Sequence, residues 1–278
     1  MTLRPDGPED GPPTPRPVPP REPVQRWRLA LRRAAVDPGE AQKAWQHALV
    51  EGLVASGLPL AGMDAVPPRP RVAIGAPLPA GMPGERELVD VMLVSREPAW
   101  RVREVAAAAI PAGDTLVDCI DVWTGVPPLP GLVTAAVYRI VVVAPGERPG
   151  IGDLLLVGRL RAAASEMLDA SSLPRMRRKG EQLVPYELRP FLEGISVDAI
   201  PGAAGVAVRA TLRHDPEKGI GRPEEVVGEL ADRAGAALEA RAVVRERLVL
   251  ADELPHRAPP KPPTPVRSQL PPGRRPRR

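Results

Sequence analysis

Gln25-Arg26-Trp27-Arg28-Leu29-Ala30-Leu31-Arg32 is the stretch on which the fold turns. Trp27, Leu29 and Leu31 fall on one face and Arg26, Arg28 and Arg32 on the other, the period of a half-buried strand. Next comes Asp37-Pro38-Gly39-Glu40, a helix start in which Asp37 caps free amides, Pro38 fits the first helical position and Glu40 completes a capping box. Ala41, Trp45, Ala48, Leu49 and Gly52 then recur at helical spacing until Gly57 stops the helix. Arg71–Gly75 and Leu88–Val94 read as strands on either side of a Pro/Gly-rich loop. A helix from Pro98 through Ala109 and a strand over Thr115–Trp123 complete the order β-α-β-β-α-β.

Past the breaker Pro127-Pro128-Leu129-Pro130-Gly131, the same order is expected again. Val133–Val143, Gln182–Leu188, Val206–Leu212 and Ala242–Leu250 read as strands, and Gly150–Leu168 and Pro223–Leu238 as helices. Ile195–Ile200 is either an extra strand or a loop. The expected class is α+β, with two tandem ferredoxin-like (βαββαβ) halves over 24–126 and 131–250 forming a pair of small open sheets.

Composition sets both ends apart. Proline supplies 9 of the residues in 1–23 and 9 of those in 251–278, so these segments lack the amide donors and apolar side chains of packed elements and are expected to be disordered. Segment 251–278 carries a charge of about +5 and 1–23 about −1, so the net +4 leaves the body near neutral and the high pI is a property of the tail. With one cysteine, no signal-like segment and no long apolar run, a cytoplasmic protein without membrane contact is expected.

An iron–sulfur cluster needs three or four thiolates, and Cys119 is the sole cysteine. His47, His214 and His256 are too scattered for a zinc site. His214-Asp215-Pro216 is more simply a turn than an acid/base pair. Gly150-Ile151-Gly152-Asp153 lacks the third glycine and the lysine of a phosphate cradle. No catalytic residue, metal or cofactor is therefore expected. The remaining signal is basic: Arg175, Arg177, Arg178 and Lys179 at a glycine turn, with Arg26 and Arg28 on a sheet face, are the candidate nucleic-acid-binding residues. Against them stands a simpler expectation, in which Asp90, Asp118 or Asp121 pairs with the strand arginines and Arg175–Lys179 is a solvated loop. The chain also has one Phe and two Tyr, few for stacking bases.

Three segments carry a family resemblance: Gln25–Leu31; Gly57-Leu58-Pro59-Leu60 through Arg69–Ile74 into Ala76-Pro77-Leu78-Pro79-Ala80-Gly81; and Arg177–Gly180 to Tyr186–Pro190, with Gly221-Arg222-Pro223-Glu224-Glu225-Val226 downstream. In this order they resemble the radical SAM-linked domain of unknown function, which occurs beside or fused to cobalamin-type radical SAM proteins. The chain departs from that pattern at Asp37–Glu40 and Pro67–Pro70, where the family usually has histidine-containing segments. The resemblance implies a radical SAM protein as partner. Combined with the basic cluster, it implies a non-catalytic accessory module that binds RNA or a ribonucleoprotein substrate for that partner. The alternatives are a protein-interaction scaffold that docks the partner without nucleic acid, and a degenerate RNA-processing enzyme of the CRISPR endoribonuclease type, the latter by fold analogy alone.

Overall fold

The computed structural model describes residues 21–35, 42–145, 151–202, 204–215 and 219–253, and their side chains except those of 151–153, 178 and 179. The Asp37–Glu40 cap, Gly150, His256 and most of both tails lie outside the described residues. The strands and helices run β1 (Gln25–Arg33), α1 (Gln42–Ala55), β2 (Val72–Ile74), β3 (Gly84–Leu93), α2 (Ala99–Ala109), β4 (Thr115–Val122), α3 (Leu129–Leu132), β5 (Val133–Val143), α4 (Ile151–Asp169), β6 (Pro174–Lys179), β7 (Gln182–Glu187), β8 (Leu192–Ala199), β9 (Val206–Asp215), β10 (Gly219–Ile220), α5 (Pro223–Ala234) and β11 (Glu239–Leu250). The protein is a mixed α+β fold built on a large, mostly antiparallel sheet.

The alternation of β1 sets the first core. Trp27, Leu29 and Leu31 are buried against Leu49 and Leu53 of α1, Val102 and Ala106 of α2, and Val89, Val91 and Leu93 of β3. Burying each large side chain contributes roughly 1.5–3 kcal/mol. A second, larger core joins β5 and β9 to α4 and α5 through Tyr138, Ile140, Leu160, Val208, Leu212 and Leu230. Helix α5 ends at Gly235, not Leu238, because that residue takes a left-handed conformation (φ 58°) and its amide bonds back to Ala231 and Asp232.

Two expectations are corrected. The strands form one nine-stranded sheet, ordered β10-β9-β5-β11-β3-β1-β4, with β2 on β3 and β8 on β9, in place of two separate sheets. The reason lies in the length of β2. Its three residues cover only Val89–Val91 of β3, leaving the edge at Gly84 open. β11 takes that edge in parallel, with Arg245 opposite Gly84 and the Arg245 amide donating to the Pro83 carbonyl at 3.0 Å. The second correction concerns 182–187. This strand pairs with β6 in a separate two-stranded hairpin, and β8, over part of the stretch left open as strand or loop, fills its place beside β9. Proline lacks a ladder donor, so Pro174 and Pro185 suit a peripheral ribbon better than a sheet interior.

Candidate functional site

The strand arginines do not line an open face. Arg26 is buried: its Nε donates to Asp90 Oδ2 at 2.8 Å, its Nη1 to the Val126 carbonyl at 2.7 Å and its Nη2 to the Pro127 carbonyl at 3.0 Å, with a further contact to Asp90. Arg28 donates to both oxygens of the same carboxylate, at 2.8 and 3.1 Å. One fully buried aspartate thus holds two guanidiniums, and Arg26 fastens the proline-rich connection over the sheet.

The hairpin gives its first two cations different partners, although both lie on one face of β6. Arg175 points to α5, donating to Glu229 at 3.1 Å and to Asp232, with Glu225 at 3.6 Å. Arg177 lies over the Tyr186 ring, 5.1 Å from its centroid. Arg178 and Lys179 flank the Gly180 turn, opposite Leu183 and Gln182. Tyr186 stacks on Phe191 at 5.4 Å. Its hydroxyl donates to the Ile220 carbonyl at 3.4 Å and accepts from the Arg222 backbone, and burial pushes its pKa up to about 12. The hairpin and the 220–222 turn are thereby joined.

That turn forms one wall of a cavity of about 260 Å³. Pro77, Leu78, Pro79 and Met82 form the facing wall, Tyr138 is the floor, and Arg222 and Glu224 stand at its edge. The facing wall belongs to a loop with no secondary structure of its own, and a buried arginine holds it in place. Arg245 donates to Glu87 at 2.8 Å through Nε and again through Nη2. Its remaining donors reach the Pro77 carbonyl at 2.8 Å and the Ala76 carbonyl at 3.1 Å. The Tyr138 hydroxyl lies beside its charge. Gly84 is part of this arrangement, since a Cβ there would sit 2.5 Å from Glu87 Oε1.

The other candidate groups are apart from one another. His47 is exposed, 3.1 Å from its helical neighbour Glu51. Burial raises the Cys119 thiol to about 11, far from a reactive thiolate. No cluster of three or more His, Cys, Asp or Glu able to hold a metal occurs among the described residues, and none of the described helices is long and apolar enough to cross a membrane. His214 is largely buried, with Nε2 unpartnered. Burial, then the positive charge of Arg245, pushes its pKa down to about 4. A base depressed from 6.5 contributes stability that is whole above 6.5 and declines as pH falls towards 4, because the unfolded chain takes up the proton first. His214→Phe should therefore flatten this limb, which in the wild type amounts to on the order of 2–3 kcal/mol. Urea midpoints measured at pH 7, 6 and 5 check this; parallel pH profiles for the two proteins would refute it.

Arg245, Glu87, Tyr138, Arg222 and Glu224 were not among the candidate residues read from the sequence. Arg245 leaves no distinguishing signal, because Glu246 and Arg247 follow it directly within Val243–Leu250. Both walls do coincide with segments that carry the family resemblance, Ala76–Gly81 and Gly221–Val226.

No curated protein matches the chain. Among solved structures, it is similar to a chain of a Cbf5-Nop10-Gar1 complex (11% identity, 79% of this chain and 48% of that chain, TM-score 0.38). It is also similar to one of the archaeal box H/ACA sRNP Nop10-Cbf5 complex (12%, 79% and 46%, TM-score 0.36), and to a Cas6 product complex (15%, 80% and 99%, TM-score 0.22). The chain spans about half the length of the two Cbf5-complex chains, and at these scores the similarities carry no argument about function. Residues 56–221, more than half of the chain, match the model of one family, and the chain belongs to it: the family described as "Uncharacterized protein conserved in bacteria (DUF2344)".

Proposed function

We propose that the chain is a non-catalytic accessory module that binds RNA, or a ribonucleoprotein substrate, for a radical SAM partner. In this reading 24–126 and 131–250 act as two ferredoxin-like halves joined edge to edge, with 1–23 and 251–278 as tails. The strand neighbours β4-β1-β3-β2 and β11-β5-β9-β8, each antiparallel throughout, support the paired architecture. The radical SAM partner rests on the sequence resemblance alone.

The observation that carries RNA binding is the hairpin. Arg175 is spent on anchoring it to α5, and the strand register sets Arg177, Arg178 and Lys179 around the Gly180 turn, where they would meet phosphates. Arg26 would serve only by holding the connection at Val126–Pro127, and Arg28 only by sharing the Asp90 carboxylate with it. Filter binding of tRNA and rRNA at two salt concentrations tests this. The triple variant Arg177→Ala, Arg178→Ala, Lys179→Ala should lose about tenfold or more in affinity, with a salt dependence shallower by about two, since each phosphate contact contributes ~0.7. Absent or salt-independent binding by the wild type would refute the proposal.

A specific observation favours a second reading, a scaffold that docks the partner without nucleic acid. Met176 and Leu183 are both more than half exposed, and the pairing register puts them on one face of the hairpin. Co-purification of a radical SAM protein that survives nuclease treatment, and is lost in Met176→Ser, Leu183→Ser, would favour it.

A further inference from the structure

We propose that the 260 Å³ cavity between the 77–82 loop and the 220–224 turn accepts one unstacked, amino-bearing nucleobase of the bound RNA. This rests on the RNA-binding reading and specifies where the chain would read a base.

Size is the first argument. At ~30 Å³ per water, the space holds about nine water-sized groups, the scale of a single heterocycle. The lining is the second. Leu78, Met82 and Pro223 all line it, giving the apolar surface against which an extruded base stacks. The floor adds one polar group, the Tyr138 hydroxyl beside the charge of Arg245.

The third argument is the charge at the edge. Most cations on this side of the fold are paired, as Arg175 is to Glu225, Glu229 and Asp232, and Arg233 to Glu229 and Glu166. Arg222 and Glu224, by contrast, form no ion pair among the described residues and are exposed beside the cavity. A free carboxylate accepts hydrogen bonds from an exocyclic amino group, as it does from cytosine N4, and a free guanidinium suits the adjoining phosphate. Continuity is the fourth. Tyr186 is bonded to Ile220 on one side and carries Arg177 over its ring on the other, so the hairpin and the cavity wall are joined through one side chain.

Fluorescence anisotropy with short labelled single strands tests the proposal: oligo-A, oligo-C, oligo-U and an abasic RNA of equal length. Wild-type protein should bind oligo-A and oligo-C about tenfold more tightly than the abasic strand, as expected for one stacked base. Leu78→Trp, which fills the cavity, should erase that gap and keep the salt-sensitive remainder. Glu224→Ala, on the surface, removes the acceptor and should erase the preference of A and C over U. Equal binding of base-bearing and abasic strands overturns the cavity assignment and leaves the RNA reading standing. A base preference that survives in both variants also overturns it. No binding of any strand, or of tRNA and rRNA at low salt, defeats the RNA reading itself. Should the wild type bind no RNA yet capture a protein partner that Leu78→Trp loses, the cavity is a peptide socket and the proposal falls.

Discussion

Asp90→Ala is expected to destabilise the fold by about 3–5 kcal/mol, among the largest losses available to one side chain. The carboxylate is fully buried and is the anionic partner of both Arg26 and Arg28. Removing it leaves two guanidiniums without compensation, one of them buried as completely as the aspartate was. For a protein of this size the melting temperature should fall by about 10 °C. The damage should also reach the connection between the strand groups, because Arg26 donates to the Val126 and Pro127 carbonyls from the orientation that Asp90 gives it. Limited proteolysis should then cut faster near Val126 in the variant than in the wild type. Asp90→Ala, Arg26→Met, Arg28→Met should recover part of the lost stability, since an apolar replacement of a whole buried ion pair is often close to neutral. A thermal melt of Asp90→Ala within 2 °C or so of the wild type would refute the account.

Glu87→Ala should cost a similar ~3–5 kcal/mol at the seam of the sheet, for the same reason, by stranding Arg245. Here the consequence is also functional. The same guanidinium holds the Ala76 and Pro77 carbonyls, so losing its counter-charge loosens one wall of the cavity. Gly84→Ala should act in the same direction by displacing the Glu87 carboxylate, although it removes no charge. Glu87→Leu combined with Arg245→Met separates the two effects. Stability should largely return, while the 76–79 loop, with no guanidinium to bind its carbonyls, stays loose. Denaturant midpoints read the first effect and hydrogen exchange at 76–79 the second. Exchange at wild-type rates in the double variant would show that the loop does not depend on Arg245.

The alternation Trp27, Leu29, Leu31 gave away β1 because a strand's period is written in adjacent residues. The same local signals located α2, β4, β5 and α5 to within a few residues, and Asp90 was among the acids named as partners for the strand arginines. The hairpin was half legible: its basic run stood out, but Pro174-Arg175-Met176-Arg177 carries no clear apolar alternation, so its first strand was missed. Arg175 and Arg177 look equivalent in sequence. The structure separates them, since one meets three carboxylates of α5 and the other an aromatic ring.

By itself, then, the sequence determined the local elements, their order and the lack of clustered thiols or imidazoles. These depend on residues within a few positions of one another, where periodicity, capping and breakers act. The tertiary structure decided the single sheet, the burial of Arg26 and the cavity at the seam. Each joins residues far apart in the chain, as Glu87 joins Arg245 across 158 positions. Such pairings are set by which strand edge is left open and which charges must be neutralised once water is excluded, and no local pattern encodes either.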